Sequence, residues 1–185
     1  MPRIQPIDPA TATGEAAAQL AVSRKMFGGT PNLVTTAAVS PVVLQGMLGM
    51  FASLGKASLG AKAGEKIAIA VAQSNGCGYC LSAHTAIGTM HGVDATALSD
   101  ARRAASDDPK TAALLQLAVA INSARGHISD ATLVAARQAG LTDAEIVEVV
   151  GHVALNVFTN YLNNVSRTDI DFPVIELDAT VAVGA

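Results

Sequence analysis

Apolar residues along this chain recur at helical rather than alternating intervals, and glycines or capping residues punctuate nearly every segment. Residues 14–27 form an amphipathic stretch that Gly28-Gly29 ends. Thr30-Pro31 and Ser40-Pro41 each set a capping residue before a proline suited to the first helical position, which predicts helices near 31–39 and 41–55. The next helix runs from about Lys62 to Ser74, carrying Glu65, Ile67, Ile69 and Val71, and Asn75-Gly76 stops it. Cys77 opens a helix over about 77–91 that Gly92 closes, and a short helix follows over about 95–104. Asp108-Pro109 starts a longer one, roughly 109–125, ended by Gly126. Ser129 begins another short helix, terminated by Gly140. Thr142-Asp143-Ala144-Glu145 has the form of a capping box and launches the longest helix, about 143–165. The tail 169–185 reads as extended or loosely ordered, or as an intersubunit segment. No linker or composition break divides the chain, so the pattern predicts one all-α domain over residues 1–185.

Composition narrows the picture. Half of the residues are hydrophobic, yet aromatics are only 3% and Trp is absent, so Ala, Val, Leu and Ile must form helices in close contact. Charged residues make up 15%, too few to give every helix a solvated face, which predicts that some faces meet other subunits. With a net charge of −3 and no basic cluster longer than Arg24-Lys25 or Arg102-Arg103, the chain lacks the footprint of a nucleic-acid binder. Charged residues or His interrupt every apolar run short of a membrane span. The segment from Met1 to Gly14 has neither a basic start nor an apolar core, so it does not read as a signal peptide. Two cysteines without an export signal suit a reducing cytoplasm, where a C-x-x-C pair is catalytic or metal-binding rather than a staple.

Those two cysteines are Cys77 and Cys80, separated by Gly78-Tyr79. Gly76 before them and the apolar helix after them place both at a helix start, where unpaired amides and the positive end of the helix dipole favour a thiolate. Their spacing brings the two sulfurs within reach of a disulfide. His84 lies four residues beyond Cys80, hence on the same helical face, and can accept the thiol proton and then hold the anion. Glu65 is distant in sequence, but the midpoint between positions 65 and 84 falls on Ser74-Asn75-Gly76. An antiparallel helical hairpin turning there would set Glu65 beside His84, where the carboxylate orients the imidazole and relays its proton.

The pattern Glu65, Cys77, Cys80 and His84 resembles the alkylhydroperoxidase AhpD family, within the larger carboxymuconolactone decarboxylase-like superfamily. The resemblance centres on residues 60–92 and implies an AhpD-like all-helical domain whose hairpin carries the C-x-x-C motif. It also implies a thiol-dependent hydroperoxide reductase with no bound cofactor and no metal. Its electrons would come from a lipoyl-protein or a thioredoxin-like dithiol. By the same resemblance Cys80 becomes the sulfenic acid, Cys77 gives the proton and closes the disulfide, and Glu65 with His84 forms the proton relay. A homotrimer or homohexamer is implied as well. The chain departs from the family pattern at Tyr79, where some AhpD proteins carry a second His; a phenol with pKa near ~10 is a poor proton shuttle.

Other readings stand beside this one. The same pair could serve a general disulfide or thiol oxidoreductase, or act as the redox sensor of a non-enzymatic helical assembly. A decarboxylase of the carboxymuconolactone type is a third alternative, although its chemistry has no use for two thiols. Zinc could take Cys77, Cys80 and His84, but His91 lies about 10 Å further along the helix and cannot complete the set. His91 reads as a C-terminal helix residue and His127 as a loop residue. His152, Asn156, Asn160 and Asn164 recur at every fourth position of the last helix. Either they bond between helices or subunits, or His152 and Asn156 line the peroxide pocket.

Overall fold

Ile67 to Ser74 form an uninterrupted buried run, the mark of a helix surrounded on all sides. The computed structural model describes residues 1–180, and among these the chain forms nine helices and no strand. They are α1 (Gly14–Phe27), α2 (Asn32–Ala37), α3 (Pro41–Leu54), α4 (Gly60–Ser74), α5 (Gly78–Met90), α6 (Ala95–Ala101), α7 (Pro109–Ser123), α8 (Asp130–Gln138) and α9 (Asp143–Ser166). The buried run belongs to α4, which packs against α5, α7 and α9. Alternation of Ala68, Ala70 and Ala72 with Ile67, Ile69 and Val71 lets these neighbours approach closely while the branched side chains fill the spaces between them. A second apolar cluster joins α1, α2 and α3 to Leu155 of α9 through Leu20, Val34, Leu44 and Met47, and Leu33 packs on both clusters.

The all-helical fold agrees with the sequence reading, and most boundaries fall within a few residues of those predicted. Two differ for physical reasons. The helix expected over 31–39 is only Asn32–Ala37, with Pro31 as its cap instead of its first residue. Its leading amides are satisfied from elsewhere in the fold: Asn32 N donates to Asp171 Oδ2 (2.8 Å) and Leu33 N to Tyr79 Oη (3.1 Å). The helix expected to reach 104 ends at Ala101, and Ala104 takes a left-handed turn at φ 51°. Arg102 thereby leaves the helix and donates to Gln73 Oε1 and to the Glu176 carbonyl.

That arginine helps secure the segment after α9, which is extended and lies across the start of α5. Buried Gln73 holds it on both sides: its Nε2 donates to the Asp178 carbonyl (3.0 Å), and the Asp178 amide donates to its Oε1 (3.1 Å). Ile175 N donates to Ser82 Oγ (3.0 Å), and Phe172 meets Tyr79 edge to face at 5.9 Å between ring centres.

The corner between α4 and α5 is equally well fixed. Gly76 takes φ 62°, which a glycine adopts without strain. Asn75 exchanges side-chain hydrogen bonds with Asn122 of α7 and donates to Asn160 of α9 (3.0 Å), while Asn164 donates to its carbonyl. The hairpin therefore turns at the predicted break and is braced from two further helices.

Candidate active site

The hairpin sets Glu65 of α4 and His84 of α5 side by side. Glu65 Oε2 lies 2.7 Å from His84 Nδ1, and the two side chains are only 16% and 15% exposed. Gly88, one turn beyond His84, makes room for Leu98 of α6: a Cβ there would stand 2.7 Å from Leu98 Cδ2. Burial alone would lower the His84 pKa, but the Glu65 carboxylate and the charge of Cys80 outweigh it and raise it. The imidazole is thereby prepared to hold a proton.

Cys77 is the N-cap of α5, and its Sγ accepts the Cys80 amide proton at 3.3 Å. Cys80 is the third helical residue. Burial pushes its thiol up, yet the hydrogen bond from Cys77, the positive charge on His84 and the Asn163 amide together lower it to about 7. Cys77 moves the other way. Its hydrogen bond to Cys80, then burial, then the neighbouring negative sulfur all raise its pKa, so it stays a thiol. One sulfur is held ready as an anion and the other as a proton donor.

Asn163, on α9, donates its amide to Cys80 Sγ at 3.2 Å and is a site residue the sequence reading did not name. It faces the sulfur from the opposite helix, where a fixed donor favours the thiolate over the thiol. Both sulfurs are sealed, at 0% exposure for Cys77 and 1% for Cys80. Among the described residues no three His, Cys, Asp or Glu side chains are placed to hold a metal ion.

His84 forms part of the wall of two cavities. The first, about 280 Å3, is lined by Phe27, Phe51, Tyr79, Phe172 and aliphatic side chains, with His84 as its only imidazole. The second, about 170 Å3, is lined by Glu65, His84, His91, His152 and Asn156 among small and aliphatic residues and Phe51, which it shares with the first. Neither sulfur reaches either cavity surface. Glu65, Cys77, Cys80 and His84 are thus brought together. Tyr79 forms a wall of the first cavity; burial raises its pKa and its oxygen accepts the Leu33 amide, so it supports the wall rather than shuttling protons. His152 and Asn156 line the second cavity, away from the aromatic one. Asn160 and Asn164 instead brace the α4–α5 corner.

Comparison with known proteins agrees with this architecture. Residues 41–108 match the carboxymuconolactone decarboxylase family. No curated protein matches the chain in sequence. Among solved structures, the fold is similar to a peroxidase-related protein of Ralstonia eutropha described as an alkylhydroperoxidase AhpD core, at TM-score 0.81 and 20% identity over 92% of each chain. It is similar to another peroxidase-related protein from Silicibacter sp., at TM-score 0.76 and 22% identity over 90% of this chain and 92% of the other. The debrominase Bmp8, solved with 2,3,4-tribromopyrrole, is similar at TM-score 0.78 and 18% identity over 91% of each.

Proposed function

We propose that this chain, a member of the carboxymuconolactone decarboxylase-like superfamily with the AhpD-like fold, is a thiol-dependent hydroperoxide reductase. One observation carries the reading: His84, itself held by Glu65, and Asn163 act on Cys80 so that its thiolate forms near neutrality, while Cys77 beside it keeps its proton. The Cys80 thiolate attacks the terminal oxygen of a hydroperoxide, the O–O bond breaks, and the leaving alkoxide takes the proton held on His84. Cys80 is then a sulfenic acid. The Cys77 sulfur attacks it, the S–S bond forms, and the departing hydroxide leaves as water with the Cys77 proton. A dithiol carrier, lipoyl-protein or thioredoxin-like, reduces the disulfide. A cytoplasm that keeps such carriers reduced is the setting this cycle requires.

The apolar cavity supports a hydroperoxide with a hydrocarbon body, seated against Phe51, Phe172 and Tyr79 and meeting His84 at its polar end. Because Cys80 lies behind that wall, Tyr79 or Phe172 must shift for the oxygen to reach sulfur. Assembly belongs to the same proposal: Val147, Val150, Tyr161 and Val165 expose an apolar stripe along α9, and sedimentation should give a trimer or hexamer.

Peroxide consumption measured in parallel with a lipoyl-protein and a thioredoxin-type reductant tests the reading. The wild type should turn over with one of them and Cys80→Ser with neither. Decarboxylation of a carboxymuconolactone that survives in a protein lacking both cysteines would return the assignment to decarboxylase-type chemistry. A second reading, reductive debromination, is favoured by the aromatic walls of the first cavity and by the similarity to the debrominase. The dithiol would then give two electrons to an aryl bromide, forming the disulfide, the debrominated ring and hydrogen bromide. Bromide release from a bromopyrrole distinguishes it.

A further inference from the structure

The second cavity contains chemistry that the peroxide step does not use. His152 enters it from α9, and its ring fits because position 64 has no side chain: a Cβ on Gly64 would stand 3.0 Å from His152 Cε1. Its Nε2 is sealed from solvent, and no group among the described residues bonds it. The titratable groups around the ring are Glu65 from α4, His84 and His91 from α5 and its C-terminal cap, and Glu148 one turn back along α9. Glu148 is already engaged by Ser58 N, Ser58 Oγ and Leu59 N, and Lys62 is turned to the Gly92 carbonyl. His152, whose pKa burial lowers, therefore stands with an unbonded nitrogen beside the buried dyad, and its ring borders a cavity large enough for several waters whose lining extends to exposed His91.

Proton accounting says when such a residue is needed. The peroxide half of the cycle uses protons already in the site, one from His84 and one from Cys77. The dithiol half must replace both. A carrier thiol attacks as a thiolate, its proton already lost to solvent, so breaking the Cys77–Cys80 bond leaves two protons to be drawn inward. One of the two protons belongs on His84, and the Glu65–His84 dyad borders the second cavity, which makes the dyad a route inward.

We infer that His152 exchanges protons between solvent and the Glu65–His84 dyad during re-reduction, across water held in the second cavity. This rests on the proton-relay role given to the dyad above. An imidazole suits the task because it accepts on one nitrogen while donating from the other.

The disulfide is formed with diamide, a non-peroxide oxidant, and then re-reduced with dithiothreitol; alkylation and mass counting of free thiols give the rate. His152→Ala and His152→Gln should each slow re-reduction by at least about tenfold and slow peroxide-driven oxidation far less. Added imidazole should restore the His152→Ala protein. Wild-type rates in both variants would overturn the inference, as would a slow His152→Ala protein that imidazole leaves unchanged, since that would make His152 a packing residue. Should His152→Ala fail to fold, His152→Gln and heavy water decide. The wild type should re-reduce more slowly in heavy water and His152→Gln should show less of that effect; equal effects in both would also overturn it. Because no peroxide enters this assay, slowed re-reduction in a protein that consumes no hydroperoxide would reject the peroxidase reading and leave the inference standing.

Discussion

Two cavities meet at His84 and Phe51, and the rest of their linings differ. On one side of His84 the walls are three phenylalanines, a tyrosine held by its oxygen, and aliphatic side chains. On the other, a carboxylate, two further histidines and an amide stand among glycines, alanines, two leucines and Phe51, which borders both cavities. The first can select a substrate body by shape and apolarity but can move no proton except through His84. The second carries further groups that can move protons, set in a lining that is otherwise apolar. His84 belongs to both, so under the proposed function the contrast separates what the site recognises from how it is recharged.

The largest expected effect lies where the two sides converge. Cys80→Ser should lower peroxide turnover by at least about a thousandfold, whereas Cys77→Ser should complete one oxidation and stop as a sulfenic acid detectable by dimedone. Next comes Glu65→Gln, expected to cost about a hundredfold in turnover. Its pH signature is specific. In the wild type, Cys80 alkylation should rise with pH through an inflection near 7, since the thiolate is present above that value and lost below it. Removing the Glu65 charge lets the His84 pKa fall, takes away the cation that holds the thiolate, and should move the inflection upward. An unmoved inflection would detach Glu65 from the sulfur.

On the aromatic side alone, Phe172→Ala loosens the cover over Tyr79 and should speed Cys80 alkylation by about tenfold, by raising the population of the open wall. The smallest effect belongs to the other side. Gly64→Ala presses on His152 at 3.0 Å while improving helix propensity, so the two effects offset and stability should change by less than about 1 kcal/mol. Thermal melting checks this, and a slower re-reduction with an unchanged peroxide step would place the consequence at His152.

Legibility from sequence followed the range of the forces involved. The C-x-x-C helix start, the capping box at Thr142 and the Gly76 corner are set by residues within a turn or two, and each stands where expected. Glu65 opposite His84 required only a corner and a rise per residue, and the 2.7 Å contact follows. Asn163 was missed because residues taken at every fourth position drift about 40° around the helix at each step. His152, Asn156, Asn160 and Asn164 therefore wander across the surface, and Asn164 is exposed. The buried face runs instead through Asn156, Thr159, Asn160, Asn163 and Ser166. Counting at intervals of three and four would have brought Asn163 into view. The capping of α2 by Asp171 and Tyr79, and the sealing of both sulfurs, depend on residues far apart in the chain; no local pattern announces them.

In the proposed cycle, the sulfur that resolves the sulfenic acid is also the acceptor that starts α5. Each time it bonds to Cys80 in that cycle, it is drawn toward the Cys80 sulfur, and its contact with the Cys80 amide must rearrange. Backbone conformation at residues 77–80 therefore reports oxidation state directly, so amide exchange at that turn should distinguish the dithiol from the disulfide without any reagent touching sulfur.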